Sequence, residues 1–106
     1  METIALHTRL KAGSEKAYDA VHQEIPAELD RRLREVGVAN WRIWRDGQDV
    51  FHLVTCEDYQ RMRAELEHDP VNVAWQELLE PLFEVADDYS GDDHGIGHVW
   101  SLPQAT

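Results

Sequence analysis

Tyr18 and His22 are the pair whose types and spacing suit acid–base chemistry. A histidine gains and loses a proton near neutral pH, and a tyrosine hydroxyl both donates and accepts hydrogen bonds. Four residues apart on a helix, they lie one turn apart on the same face. That face also carries Val21, Ile25, Leu29, Leu33 and Val36, so it is the stripe that packs towards a sheet. A polar imidazole in such a stripe must have a partner. Spacing alone fits a core histidine bonded to a backbone carbonyl as well as it fits a reactive one. Trp41 and Trp75 change the weighing, because periodicity turns both inward. If helices cover the sheet face carrying Trp41, then Tyr18, His22, Trp41 and Trp75 converge. The result is a pocket with flat aromatic walls and one titratable group. Such walls suit the apolar faces of a sugar ring, although four rings at regular spacing also fill a core.

Other chemistries lack their residues. There is no Gly-x-Gly-x-x-Gly or Walker-type run, and the serines and Cys56 lack the context of an activated nucleophile. The six histidines do not assemble a metal site. His94 and His98 are four apart, but Gly95 and Gly97 oppose a helix between them, and His7 and His52 fall on different expected strands. Asp87, Asp88, Asp92 and Asp93 do not follow the spacing of a calcium loop. Cofactor-free acid–base chemistry is the simplest enzymatic reading, with no metal.

The elements that must position these residues follow from periodicity. Residues 3–10 alternate, with Ile4, Leu6, Thr8 and Leu10 on one face, and read as a half-buried strand. Ser14 is a plausible N-cap for a helix over 15–36, which Pro26 kinks or divides near Ile25 and Gly37 ends. Residues 38–44 alternate again, placing Trp41 with Ala39 and Ile43. Val50–Thr55 is mostly apolar and reads as a central strand, joined to the previous one by a hairpin loop at Asp46–Asp49. A short helix over 57–67 turns Tyr59, Met62 and Leu66 inward. Asp69-Pro70 then forms an N-cap and first-turn pair. The next helix runs to about Phe83 with Val71, Trp75, Leu78 and Leu82 on its buried stripe. Residues 87–97 read as an acidic loop, and His98–Leu102 as a closing strand.

This order, β-α-β-β-α-α-β, is close to that of ferredoxin-like domains. The expected fold is α+β, one domain over residues 1–106, with an antiparallel sheet and helices on one face. The bare face needs a cover, so a homodimer closing an α+β barrel is expected.

Composition narrows the partners. The 106 residues carry a net charge of −11, which disfavours nucleic acid and anionic membrane and suits a neutral small molecule. Arg31, Arg32 and Arg34 sit between Asp30 and Glu35 and read as a solvated helix face. The lone Cys56 has no partner for an internal disulfide. The first residues lack a signal-peptide pattern, and no window reaches the ~20 apolar residues of a membrane span. A cytoplasmic location is expected.

The ordered set of motifs resembles the L-rhamnose mutarotase family across nearly the whole chain. It comprises Tyr18-x-x-x-His22, Pro26, Glu28-Leu29 and Gly37-x-x-Asn40-Trp41-x-Ile43-Trp44. It continues with Asp69-Pro70-Val71-Asn72-x-x-Trp75 and His98-Val99-Trp100-Ser101-Leu102-Pro103. The resemblance implies a dimeric ferredoxin-like enzyme that interconverts the α and β anomers of L-rhamnose, or of a related 6-deoxy aldose such as L-fucose, without a cofactor. It implies that His22 is the acid/base residue, that Tyr18 contacts the sugar, and that Trp41 and Trp75 line the pocket. The chain departs from the family pattern around that histidine. Trp41 replaces a common tyrosine, Pro26-Ala27-Glu28-Leu29 replaces Trp-Pro-Glu-Leu, and Trp75-Gln76 replaces a Trp-Trp pair. The identity of the sugar is therefore open. The rival readings are a cofactor-free monooxygenase on the same dimeric architecture and a non-catalytic sugar-binding module.

Overall fold

The computed structural model describes residues 1–85 and 94–103. Strand β1 (Glu2–Leu10) leads through Gly13 into helix α1 (Glu15–Val21), then α2 (Ala27–Glu35), β2 (Val38–Asp46), β3 (Asp49–Cys56), α3 (Tyr59–Glu67) and α4 (Pro70–Leu79). A 3-10 turn (Glu80–Leu82) and a short β4 (Phe83–Val85) follow. The strands form one antiparallel sheet in the order β2-β3-β1-β4, which is the ferredoxin-like arrangement with β3 and β1 at its centre.

Pro26 divides the long helical segment, because a proline removes a backbone donor and its ring collides with the carbonyl four residues back. α1 ends at Val21, and Pro26 stands at the N-cap of α2 with φ −55° and ψ 137°. Ser14 occupies the N-cap position of α1, but its side chain makes no capping hydrogen bond. Gly37 ends α2 with φ +98°, in the left-handed region that glycine favours. The hairpin between β2 and β3 pairs Asp46 with Asp49 across Gly47-Gln48, and Gly47 takes φ +60°. Asp58 caps α3 by accepting from the Arg61 N–H, one residue inside the start expected from sequence.

The register fixes which side chains share a face. Ile4, Leu6, Thr8 and Leu10 lie on the same side as Val50, His52, Val54 and Cys56 of β3, and as Trp41, Ile43 and Arg45 of β2. On this side Leu6, Val54 and Cys56 pack with Val36, Tyr59, Met62 and Leu66 from the helices and their flanks. A second cluster joins Leu10, Tyr18 and Val50, with Phe83 against it. The opposite face carries His7, Arg9, Arg42, Trp44 and Phe51, and Trp44 and Phe51 are 51% and 43% exposed.

Three sequence expectations differ from the structure. First, α4 stops at Leu79, because Pro81 cannot continue it and the chain tightens into the 3-10 turn. Its buried positions are Asn72, whose side chain donates to the Leu66 carbonyl, and Leu79, whereas Leu78 is exposed. Second, Phe83, expected to end a helix, instead opens the fourth strand, Phe83–Val85, beside Arg9 and Leu10. Third, His98–Leu102 is not a strand. The C-terminal segment meets the sheet at one bridge, where the Ile96 N–H donates to the Ala5 carbonyl at 2.7 Å. Val99, Trp100 and Leu102 beyond it are exposed. A strand needs a neighbour as well as a pattern, and these residues have none among those described. The greater part of the expected 87–97 loop lies outside the described residues.

Candidate active site

A cavity of about 630 Å³ lies between the helices and the covered face of the sheet. Tyr18, His22, Trp41 and Trp75 all line it. The convergence expected from periodicity is therefore realised from three supports: α1 and its C-cap for Tyr18 and His22, the middle of β2 for Trp41 and the middle of α4 for Trp75.

His22 is half-buried at the C-cap of α1. Its ring stands 4.1 Å from that of Tyr18 and 5.3 Å, edge-on, from the indole of Trp75. Its Nδ1 donates to the Tyr18 carbonyl at 2.9 Å. A carbonyl oxygen can only accept, so Nδ1 carries the proton and neutral His22 keeps its free lone pair on Nε2. Burial pushes the His22 pKa down, partly offset by this hydrogen bond and by the charge of Asp19. The neutral imidazole is thus the form present at pH 7. Tyr18 is buried, and burial, with the charge of Asp19, pushes its phenol well above the usual range, so its hydroxyl keeps its proton.

Three further groups line the cavity that residue spacing did not single out. Asp19 and Arg45 make a bidentate pair, Arg45 Nε to Asp19 Oδ1 at 2.8 Å and a terminal nitrogen to Oδ2 at 2.7 Å. Arg45 also donates to the Gly47 carbonyl, so the pair ties α1 to the hairpin turn. The guanidinium holds the Asp19 carboxyl below its ordinary range.

His52 is the third group. Trp41 Nε1 donates to His52 Nδ1 at 3.2 Å, with the two rings edge-on. His52 Nε2 lies 3.1 Å from the Thr8 hydroxyl. Indole N–H can only donate, so the neutral ring carries its proton on Nε2 and donates it to Thr8 Oγ1. Burial, helped by the charges of His22 and His7 when protonated, pushes His52 down to about 4. The signal for His52 was present in the sequence. A two-residue turn at Gly47-Gln48 fixes the register and sets His52 opposite Ile43, on the face of Trp41. His52 is the one polar ring in the otherwise mostly apolar run Val50–Thr55.

α4 holds its cavity residues through a strong N-cap. Asp69 accepts from the Val71 and Asn72 N–H groups and pairs with Arg32 of α2. Behind that cap Asn72, Trp75 and Gln76 reach the cavity, and Gln76 donates to Asn72.

A profile of the L-rhamnose mutarotase family matches residues 3–102. The chain belongs to the L-rhamnose mutarotase family. Among curated relatives, an L-rhamnose mutarotase of Paraburkholderia xenovorans strain LB400 is 29% identical over 104 residues, covering 96% of each chain. The crystal structure of an L-rhamnose mutarotase from Formosa agariphila superposes with a TM-score of 0.78 at 20% identity, over 97% of this chain and all of that one. That likeness supports the ferredoxin-like fold read from the strand order. In this family member Thr8 and His52 contribute polar lining on the sheet floor, on the same face as the Trp41 indole that donates to the His52 ring.

Proposed function

We propose that this protein is a sugar mutarotase, an isomerase that interconverts the α and β anomers of L-rhamnose or a related 6-deoxy aldose. The observation that carries this reading is His22 in its aromatic-walled cavity, its tautomer held by the Tyr18 carbonyl, in a chain of the L-rhamnose mutarotase family. Acid–base chemistry by side chains alone is sufficient for the reaction, so no cofactor is invoked.

Mutarotation removes the proton of the anomeric hydroxyl and delivers one to the ring oxygen as the bond between C1 and that oxygen breaks. The open aldehyde rotates about its C1–C2 bond, and closure reverses both proton transfers. Neutral His22 takes the first proton on Nε2 and returns it on closure. The Tyr18 phenol, which stays protonated, or a water beside it, supplies the second. Trp41 and Trp75 hold the ring by its apolar faces.

The test is saturation-transfer NMR on the two anomeric protons, over L-rhamnose, L-fucose and other aldoses. Faster exchange with the protein than without it supports the reading. Sugar binding without faster exchange would leave a binding module, and oxygen uptake with a quinol-type substrate would point to a monooxygenase.

We also propose that the protein works as a homodimer with the open sheet face covered by a second copy. The exposed Trp44 and Phe51 on that face, and the exposed Val99, Trp100 and Leu102, support this. A cytoplasmic setting is proposed with it. Cys56 is buried and its thiol is pushed up by burial, which suits a permanently reduced side chain. No helix among the described residues is long and apolar enough to cross a membrane.

A further inference from the structure

The sheet floor of the cavity carries a directed chain of hydrogen bonds that the acid–base step does not use. It starts at Trp41 Nε1–H, passes through His52 from Nδ1 to Nε2, and reaches Thr8 Oγ1. Each step is fixed by what the groups can do. The indole only donates, so His52 Nδ1 only accepts. The ring therefore donates from Nε2, and Thr8 Oγ1 accepts. The Thr8 hydroxyl hydrogen has no acceptor among the described residues, and Thr8, His52 and Trp41 all line the cavity. A polar ring on the covered face of a sheet costs free energy unless it is satisfied on both sides, and here both nitrogens are used.

We infer that Trp41, His52 and Thr8 form a specificity element, in which Thr8 donates a hydrogen bond to a hydroxyl oxygen of the sugar and His52 is the positioning residue that orients both Thr8 and the Trp41 indole. The ligand class is an aldose that turns one ring hydroxyl towards the sheet floor while an apolar face lies along Trp41. A ring lacking that hydroxyl leaves the hydrogen of the buried Thr8 hydroxyl without its sugar acceptor. This inference rests on the mutarotase reading for its substrate, and on geometry alone for its hydrogen-bond order.

The test has two arms, so that failure of one reading is separable from failure of the other. The first needs no activity. Long-range ¹⁵N–¹H spectra of the imidazoles at neutral pH are expected to show His52 protonated on Nε2 and His22 on Nδ1. A His52 protonated on Nδ1 overturns the inference. The second arm compares His52→Leu, Thr8→Val and His52→Gln with wild type on the best sugar of the panel. KM is read if that sugar is turned over, and otherwise its dissociation constant by NMR titration. Loss of one hydrogen bond predicts a ~5–10-fold weaker KM for His52→Leu and for Thr8→Val, with kcat within ~2-fold of wild type. Glutamine can accept from Trp41 and donate to Thr8, so His52→Gln is expected to recover to within ~3-fold of wild type. The double variant His52→Leu/Thr8→Val is expected to be no worse than ~2-fold beyond the poorer single one, because both cut the same chain. Unchanged KM in Thr8→Val, or full additivity in the double variant, overturns the inference. A wild type with no effect on anomer exchange but with intact tautomers and weakened sugar binding in Thr8→Val would overturn the mutarotase reading and leave the specificity element standing.

Discussion

The imidazole of His22 donates its Nδ1 proton to the carbonyl oxygen of Tyr18, four residues back, at 2.9 Å. This single contact decides which ring nitrogen is basic. It also orients the ring between Tyr18 and Trp75.

His22→Asn is expected to lower the catalysed anomer exchange by ~10²–10⁴-fold. The amide can still donate to the Tyr18 carbonyl, so the fold should hold to within about 1 kcal/mol in urea unfolding. Saturation-transfer NMR on the purified variant reads the rate, and an undiminished rate would remove His22 from the mechanism.

The rate should be flat above neutrality and fall on the acid side. Burial lowers the His22 pKa below the ordinary 6.5, so the neutral base persists through pH 7 and is lost only as pH drops through the lowered value. An acid limb with its midpoint below 6.5 in kcat/KM checks this. A midpoint above 6.5 would contradict the assigned environment.

Stability should also decline with acid, and His52 contributes to the slope. Its folded value of about 4 lies below the 6.5 of the unfolded chain. Between those values the unfolded state binds a proton and the folded state does not, so stability falls as pH falls. The depression corresponds to roughly 3 kcal/mol lost from pH 7 to pH 4, and His22 adds in the same direction. Urea midpoints across that range should fall less steeply for His52→Leu than for wild type, even if the variant is weaker at neutral pH.

Asp69 holds the start of α4 and ties it to α2. Asp69→Ala removes two N-cap hydrogen bonds and the partner of Arg32, and is expected to cost about 1–3 kcal/mol. Asp69→Asn keeps a capping oxygen and should cost less. Because Trp75 and Gln76 ride on this helix, the alanine variant should also bind sugar more weakly than the asparagine one, as read by NMR titration.

Phe51→Lys and Trp44→Glu place charges on the open face of the sheet. Light scattering at micromolar concentration is expected to give a dimer for wild type and a monomer for either variant. A monomeric wild type would refute the proposed assembly.

Much of this was legible in local signals. The alternation of residues 3–10, the Asp46-Gly47 turn, the Asp69-Pro70 cap and the break at Pro26 each act over a few residues and appear where expected. Tyr18, His22, Trp41 and Trp75 converge because each lies on a strongly periodic element. What escaped depended on distant partners. His52 mattered through its register against Ile43 and its contacts with Trp41 and Thr8. Leu78, expected on the buried stripe of α4, is exposed, while Leu79 and Asn72 face inward, the Asn72 side chain donating to a carbonyl on α3. The residues around Trp100 carry a strand-like pattern, but the ladder position beside Arg9 and Leu10 belongs to Phe83–Val85.

The break before Pro26 reaches into the chemistry. In an unbroken helix the backbone N–H of His22 would occupy the Tyr18 carbonyl. Here the chain is already leaving the helix, and that N–H turns to the Asp19 carbonyl at 3.3 Å. The carbonyl is released to the imidazole of the same residue. The end of α1 at Val21 thereby sets the address of a proton, leaving Nε2 as the basic nitrogen of His22.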